Sequence, residues 1–486
     1  MKARAWIRRF GVIILFASVA DRAVAAPSVY PTGVTIYDPA RAYNSYILFG
    51  DHSSYVSPAE SVAGGPGRQH AREGESRLID MNGNVVHSWE FGGYPTEMID
   101  PQTIDGARGI IGVQTSSVDF GAAHGQVPGR VGIYANKEIG LVDWQGNIIW
   151  QGGAKVPGGA LFQHHDWERL PNGHMLVLGR WRHAIAGFGK REMGDEVIYE
   201  LDTDGNPIWT WTASQHLNEL GFTREELHLV RASPFTDFFD FHSMRALGPN
   251  RWSRTGDTRF APENILVSSR NANFIVIIER QTGRIVWRLG PDYPSRNLMV
   301  KPDVTPQPVN QISGAHDVHM IAEHLPGAGN ILVFDNQSEA GYPPVRLESL
   351  GGSRVLEIDP ITKQIIWQYS ARSSQIAEWR FYTPFAGSAQ RLPNGNTLID
   401  EGAQGRAIQV TADGEIVWEY ISPFLLPAPT APIAGRPSVK TNLLYRTQAV
   451  PYSWVPDGTP HREEAVVPPA WGTFRVPVTA EEKSHD

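Results

Sequence analysis

The 486-residue sequence contains no cysteine. This absence excludes thiol nucleophiles, iron–sulfur clusters, cysteine-ligated zinc and disulfide bonds. Only 19% of the residues are charged, and the formal net charge of −8 argues against a nucleic-acid partner. Beyond the N-terminal stretch described next, no run of apolar residues is long enough to span a membrane.

The first 25 residues have the three parts of a secretory signal peptide. A basic start, MKARAWIRR, precedes the apolar run FGVIILFASVA, and an Ala-x-Ala cleavage site ends at Ala25. This pattern predicts a periplasmic or secreted protein with no membrane span after cleavage; an uncleaved membrane anchor is the alternative. We expect residues 26–45 to be an N-terminal extension. Residues 426–486 are expected to form a proline-rich C-terminal segment that wraps or closes the domain and is disordered at its end.

Turn-forming and aromatic residues are abundant, with 48 Gly, 36 Pro and 15 Trp. One hairpin motif recurs six times, in which an apolar strand, a turn and a return strand usually end in Trp. The copies are LIDMNGNVVHSW, LVDWQGNIIW, YELDTDGNPIW, IIERQTGRIVW, LEIDPITKQIIW and IQVTADGEIVW.

A second hairpin lies between several of these copies. It is seen in WERLPNGHMLVL, MRALGPN…ENILVS, HMIAEHLPGAGNILVF and AQRLPNGNTLID. Two hairpins per repeat give four strands, so residues 46–425 are predicted to form an all-β, six-bladed β-propeller with four-stranded blades around a central channel. Six unrelated hairpins in a β-sandwich are the alternative.

Three histidines occupy one shared position in these inner hairpins. Five residues before the apolar residue that ends the inner strand stand His165, His242 and His316, and the fourth hairpin has Gly387 there. Inner strands of a propeller line its channel, so we expect the three imidazoles to converge at one mouth. The same mouth is expected to receive the ends of the return strands and nearby polar residues: Arg180, Arg270, Asp335, Asn336, His164 and His319.

Two aspartates directly follow histidines of this set. They are Asp166 and Asp317. We predict that such an aspartate orients the imidazole of a neighbouring blade.

The motifs resemble those of the bacterial PAPS-independent arylsulfotransferases. The likeness is carried by DFHSMRAL…NILVSSRNANFIVIIERQTGRIVWRLG and GAHDVHMI…GNILVFDNQ…SRVLEIDP, and HHDWERLPNGHMLVL and GSAQRLPNGNTLI extend it to roughly residues 46–454. The resemblance implies a periplasmic six-bladed propeller. Such an enzyme moves a sulfuryl group from a phenolic sulfate ester to a phenol through a sulfohistidine, with no nucleotide donor and no cofactor. We expect a monomer or a homodimer.

The resemblance also implies roles for particular residues. His242 and His316 match catalytic histidines, and the anion-binding arginine after FDN falls at Arg354, in preference to Arg346. A further family histidine is expected in the next blade, where this sequence has glycine, so the nucleophile is predicted to be His165 or His316. Substrate-binding roles are predicted for Arg270, Arg180, Asn336, His319 and Asp317.

Two other classes of function are compatible with the same residues. Three imidazoles converging on a propeller axis can bind Fe(II), Cu or Zn, as in an oxygenase-like centre, although nearby arginines raise the cost of a cation there. A ligand-binding propeller without catalysis is the other alternative.

Overall fold

The structure is a computed structural model, and it describes residues 32–50, 74–117, 136–189, 192–222, 224, 227, 228, 231, 239–290, 312–338, 352–425 and 442–468. All of these residues belong to one compact unit, Thr32–Asp486. The predicted signal peptide, the proline-rich residues 426–441, the C-terminal end of the chain and Arg346 lie outside the described residues.

Short β-strands make up almost all of the regular structure. In chain order they are β1 (Gly33–Tyr37), β2 (Tyr46–Gly50), β3 (Ser76–Ile79), β4 (Val85–Trp89), β5 (Glu97–Met98), β6 (Ile111–Ser117), β7 (Asn136–Val142), β8 (Ile148–Gly152), β9 (Trp167–Arg169), β10 (Met175–Ala184), β11 (Glu192–Leu201), β12 (Pro207–Thr212), β13 (Phe241–Ala246), β14 (Ile265–Ser269), β15 (Phe274–Ile278), β16 (Ile285–Leu289), β17 (His316–Met320), β18 (Ile331–Asp335), β19 (Arg354–Ile358), β20 (Ile365–Ser370), β21 (Ser388–Arg391), β22 (Thr397–Glu401), β23 (Arg406–Val410), β24 (Ile416–Ile421) and β25 (Thr447–Val450). Single helical turns lie at Arg251–Arg254 (α-helix) and at Pro101–Thr103, Ala213–His216, Thr258–Phe260, Ala371–Ser374, Glu378–Arg380, Gly402–Gln404 and Tyr452–Trp454 (3₁₀). The described residues Arg224, Leu227, His228 and Arg231 are also α-helical.

The strands form six antiparallel sheets, which are the blades of a six-bladed β-propeller. From the inner to the outer strand, blade one is β25-β2-β3-β4, blades two to five are β5–β8, β9–β12, β13–β16 and β17–β20, and blade six is β21–β24. The predicted fold is therefore confirmed. Two strands come from outside residues 46–425: β1 adds a fifth, outermost strand to blade six, and β25 supplies the inner strand of blade one and closes the ring.

Burial of the strands follows their position within a blade. Middle strands such as β14 and β15 are buried on both faces, and they are accordingly continuous apolar runs, ILVSS and FIVII. Outer strands such as β12, PIWTWT, begin with alternating half-buried and exposed residues because one face meets solvent, and the last two residues of β12 are buried. The core consists of apolar clusters between neighbouring blades, for example the side chains of β10, β11, β13, β14 and β15.

A tryptophan from each blade fixes the outer rim of the propeller. Its indole N–H donates a hydrogen bond of 2.7–2.9 Å to a turn carbonyl of the next blade, and the sixth bond returns from blade six to blade one. The donors are Trp89, Trp150, Trp211, Trp287, Trp367 and Trp418. The repeated aromatic is thus a joint between blades. In blades one and three the donor is two residues after the repeat position, which is occupied by His87 in blade one and by Trp209 in blade three.

The inner strands are joined by a second set of hydrogen bonds. The residue after each shared histidine position accepts a backbone N–H from the next inner strand: Asp166 from Met244 at 2.9 Å, Ser243 from Val318 at 3.0 Å, Asp317 from Ala389 at 3.1 Å and Ser388 from Thr447 at 3.4 Å. The two aspartates therefore join blades, which differs from the imidazole-orienting role predicted for them. A backbone N–H at this place lacks a strand partner, and the carboxylate or hydroxyl of the neighbouring blade supplies the acceptor.

Arg446 occupies the corresponding position in blade one. Its buried guanidinium lies 2.9 Å from Glu97 Oε1, 3.0 Å from Asp166 Oδ1 and 3.2 Å from Asp317 Oδ1. Arg245 pairs with the same Glu97 and lies 3.1 Å from Asp166 Oδ1. One guanidinium from the C-terminal segment thus binds carboxylates of blades two, three and five.

Replacing Arg446 by methionine is expected to lower the free energy of unfolding by about 3–5 kcal/mol, because Asp317 loses its guanidinium partner while Glu97 and Asp166 keep only Arg245. Urea denaturation measures the change. The control is Arg41→Met, which breaks an exposed pair with Glu415 (side chains 43% and 57% exposed) and is expected to cost less than about 1 kcal/mol. Equal effects of the two substitutions would contradict this account of ring closure.

Gly387, which stands at the shared histidine position of blade six, cannot carry a side chain without rearrangement. Its φ is +113°, and a Cβ built there would lie 2.7 Å from Cε1 of Phe334. The first atom of any side chain here would therefore collide with the phenyl ring of Phe334. A histidine at this position would require that ring to move.

We predict that Gly387→Ala lowers the free energy of unfolding by about 2–4 kcal/mol, through both overpacking and backbone strain. Gly146→Ala is the matched control, because Gly146 has φ +86° but no atom within 4 Å of the place where a Cβ would lie; it is expected to cost about 1–2 kcal/mol. Thermal or urea unfolding distinguishes the two. A Gly387→Ala protein as stable as the Gly146→Ala protein would show that the Phe334 ring moves away from the added methyl group at little cost in free energy.

Candidate functional site

The structure brings His165, His242 and His316 into direct contact at the start of three consecutive inner strands. The rings of His165 and His242 stack with centroids 3.7 Å apart, and His242 Nδ1 lies 2.7 Å from His316 Nε2. Their exposed fractions are only 3%, 5% and 2%. Repetition of one strand position in neighbouring blades is what places three imidazoles side by side.

Asn336 fixes which nitrogen of His316 carries the proton. The Asn336 amide donates to the carbonyls of Thr383 at 2.9 Å and Ala386 at 2.7 Å, so its oxygen faces His316 Nδ1 at 2.7 Å. His316 Nδ1 also lies 2.8 Å from the Gly314 carbonyl. Two acceptors at Nδ1 require the hydrogen there. His316 Nε2 is therefore the acceptor, and it receives the Ala386 N–H at 3.1 Å.

His242 links that acceptor to a carboxylate. Since His316 Nε2 accepts, the short contact requires His242 Nδ1 to donate. His242 Nε2 lies 3.0 Å from Asp240 Oδ2, but without the alignment of a hydrogen bond. Burial opposes ionisation of Asp240, yet the nearby His242, His165 and Arg180 outweigh it and hold the pKa of Asp240 well below its usual value. Burial lowers the pKa of His242, and the Asp240 carboxylate partly offsets this.

A second acid orients His165 through His164. His164 Nε2 lies 3.0 Å from Glu196 Oε2, and both side chains are fully buried. His164 Nδ1 lies 2.8 Å from His165 Nδ1. This carboxylate–imidazole–imidazole series matches the arrangement that orients and activates catalytic histidines. Burial, reinforced by His242, lowers the pKa of His165 well below its usual value, so the ring is neutral near pH 7.

Arg270 supplies positive charge beside the cluster. Its Nη2 donates to the Pro384 carbonyl at 3.3 Å and its Nη1 to Asn271 at 3.2 Å, while its buried Nε has no hydrogen-bond partner. No carboxylate of the described residues forms an ion pair with it. Burial lowers the pKa of His316 well below its usual value, and the charges of His242 and Arg270 act in the same direction. Arg270 is therefore within electrostatic reach of the imidazoles.

Unusual backbone conformations are concentrated at this place. His165 has φ +56°, Asp240 +46°, Asp317 +48° and Ala386 +59°. Such values are costly for residues other than glycine and persist where the surrounding structure enforces them, often at functional sites.

The other residues predicted for the site make their described contacts with supporting groups. Arg354 Nε pairs with Asp335 Oδ2 at 2.7 Å, and Arg180 Nη2 with Glu196 Oε1 at 3.1 Å, 3.9 Å from Asp240. His319 Nδ1 lies 2.9 Å from the Asp317 carbonyl. The Asp317 carboxylate accepts the Ala389 N–H and so joins blades five and six. Arg180 and Asn336 thus support the cluster directly, whereas Arg354 is already neutralised by a carboxylate.

Sequence reasoning missed four contributors: Asp240, Glu196, Tyr445 and Arg446. The Tyr445 hydroxyl donates to the His165 carbonyl at 2.8 Å. A signal for the last two was present, because YPTEMI (94–99) and YRTQAV (445–450) share Tyr and Thr at the same spacing and are the inner-strand segments of blades two and one. Reading them as inner strands would have placed Tyr94 and Tyr445 beside the histidines. Nothing in the sequence singles out Glu196.

Several solved structures resemble the chain at low sequence identity. A protein of unknown function from Bacteroides caccae is 14% identical and covers 78% of this chain and 93% of its own, with a TM-score of 0.38. The quinohemoprotein alcohol dehydrogenase from Comamonas testosteroni is 13% identical (72% and 64% covered, TM-score 0.34), and a putative 6-phosphogluconolactonase from Bacteroides fragilis is 9% identical (87% and 100%, 0.34).

No curated protein matches the sequence. In the described part of the chain, no helix has the length and apolar character needed to cross a membrane.

The sequence model of the arylsulfotransferase (ASST) family matches residues 133–423, which is more than half of the chain. The match runs from blade two to the end of blade six and contains all three histidines, Asp240 and Arg270. Family membership supports aryl sulfotransferase activity in general, with phenolic substrates. The chain belongs to the arylsulfotransferase family.

Proposed function

We propose that the protein transfers a sulfuryl group from a phenolic sulfate ester to a phenol through a sulfohistidine at His165, with no nucleotide donor. The observation that carries this is the cluster of three buried imidazoles beside Arg270, a guanidinium that the described carboxylates leave unneutralised. An anionic ester needs both a nucleophile and a positive group at the same place.

His165 is the nucleophile because Glu196 and His164 orient it. In the first step its ring nitrogen attacks the ester sulfur, a nitrogen–sulfur bond forms and the bond from sulfur to the aryl oxygen breaks. The aryl oxide leaves with the Nε2 proton of His242, which enters the step as an imidazolium beside the Asp240 carboxylate, stacks on His165 at 3.7 Å and is left neutral. Stacking keeps the proton carrier close to the reacting atoms.

The second step reverses these events with a different phenol. His242 takes the proton from the acceptor hydroxyl, the phenol oxygen attacks sulfur, and the nitrogen–sulfur bond breaks. His316 and Asp240 hold the two nitrogens of His242, and Arg270 stabilises the negative sulfuryl oxygens in both steps. Donor and acceptor bind in turn at one site, so no nucleotide subsite is needed.

We also propose a periplasmic or secreted location. Support comes from the basic, apolar and Ala-x-Ala parts of residues 1–25. Export would place the enzyme where phenolic compounds enter the cell from outside.

His165→Gln is expected to abolish transfer from p-nitrophenyl sulfate to phenol, and His242→Gln to lower kcat by about 10²–10⁴-fold through loss of the proton carrier. Release of nitrophenol that depends on added phenol is the measurement. His174→Gln serves as control, because it removes a histidine paired with Glu200 at 2.7 Å outside the cluster. Mass spectrometry of protein trapped with donor alone is expected to find one added sulfuryl group on His165. Wild-type protein without phenol-dependent release would overturn the proposal, and an adduct on another histidine would move the nucleophile.

Arg270→Met is expected to lower kcat by about 10²–10³-fold, because one charge-stabilising group of the transition state is lost. Arg354→Met is the comparison. Arg354 already pairs with Asp335, so its loss is expected to reduce stability while leaving kcat of the folded protein little changed. Steady-state kinetics with circular dichroism separates the two effects, and the opposite pattern would restore Arg354 as the anion-binding arginine.

A further inference from the structure

Three of the buried side chains at the site present donor atoms suited to a metal ion. His165, Asp240 and His242 each offer one nitrogen or oxygen, and these atoms all lie within 4.8 Å of one another. They form the one such group of three or more among the described residues. Two imidazoles and one carboxylate are a recurrent ligand set for divalent transition metals.

His242 Nε2 and Asp240 Oδ2 face each other at the place where an ion would lie. The His242 nitrogen is buried and has no hydrogen-bond partner in the described structure, although Asp240 Oδ2 lies only 3.0 Å away. A cation coordinated by His242 Nε2 and Asp240 Oδ2 would bind both atoms.

The surroundings of the two histidines also suit a metal. Histidine ligands are commonly oriented through their other ring nitrogen by a carboxylate, a carbonyl or another polar group. His242 is held through Nδ1 by His316, and His165 through Nδ1 by His164, behind which lies Glu196. Asp240 and Glu196 supply two negative charges to offset a divalent ion, against Arg180, whose Nη2 lies 3.9 Å from Asp240 Oδ1, and Arg270.

We propose that His165, Asp240 and His242 form a binding site for one divalent first-row transition metal ion, with zinc as the ion of choice for testing it. Imidazole and carboxylate ligands favour such ions over magnesium and calcium, which prefer oxygen ligands. The ion would occupy the ring nitrogens that sulfuryl transfer uses. Bound metal therefore inhibits transfer, and the site does not depend on that proposed activity.

The experiment titrates zinc chloride into the full-length protein after dialysis against a chelator, by isothermal calorimetry. One zinc ion per chain is expected, with no heat from magnesium or calcium, and cobalt is expected to give a visible absorption spectrum that zinc removes. Asp240→Asn and His165→Gln are expected to weaken zinc binding by at least about 100-fold, whereas His174→Gln leaves it unchanged. Circular dichroism establishes that each variant is folded.

Arg270→Met separates this proposal from the proposed function. Removing a nearby positive charge leaves zinc binding equal or tighter, while sulfuryl transfer falls. Wild-type protein that binds no zinc, or zinc binding that survives both Asp240→Asn and His165→Gln, would overturn the metal site without touching the transfer activity. One-to-one zinc binding by a wild-type protein that has no transfer activity would support the metal site and contradict the proposed function.

Discussion

A single buried guanidinium, that of Arg446, links the closure of the propeller to its functional site. It comes from the C-terminal segment that completes blade one, and it contacts carboxylates of blades two, three and five. Burying an ion is unfavourable unless good partners surround it. Those partners come from three different blades, so the residue that completes blade one also fixes the arrangement beneath the histidines. The neighbouring Tyr445, which binds the His165 carbonyl, extends the same dependence to the site itself.

The symmetry of the propeller is used twice, once for construction and once for chemistry. At the outer rim all six blades keep a tryptophan that bonds to the next blade, because every joint has the same structural need. At the inner position the blades differ: two tyrosines, three histidines and one glycine stand in equivalent places. The tryptophans are the same in every blade because they hold neighbouring blades together. The inner-position residues differ, and because the three histidines stand in adjacent blades, a symmetric fold contains one asymmetric cluster.

A structural feature can be predicted from this sequence when it depends on residues that are close together along the chain. The hairpins and the equivalence of His165, His242 and His316 depend on local periodicity, and spacing alone is enough to predict them. Asp240 lies two residues before His242, yet its backbone turns at φ +46° to bring the carboxylate back to the ring, and periodicity does not encode that turn. Glu196 reaches His164 from β11, on the far side of β10 in the same blade. Arg446 reaches Asp166 across 280 positions. Such partners are set by packing, which a single sequence does not display.

The charges around the cluster are arranged on two sides of the imidazoles. Arg270, without an ion pair among the described carboxylates, attracts an anion, whereas Asp240 and Glu196 attract a cation or a proton. Within a site of low dielectric constant neither tendency is negligible, since a unit charge at about 4 Å interacts by several kcal/mol at an effective dielectric constant near 20. His242 lies between the two sides and contacts both Asp240 and His316. The same ring can therefore hold a proton that a departing aryl oxide removes, or release that position to a metal ion. Sulfuryl transfer needs the lone pair of a neutral His165, and a metal ion needs those of His165 and His242. Burial, which lowers the pKa of both rings, therefore favours either use.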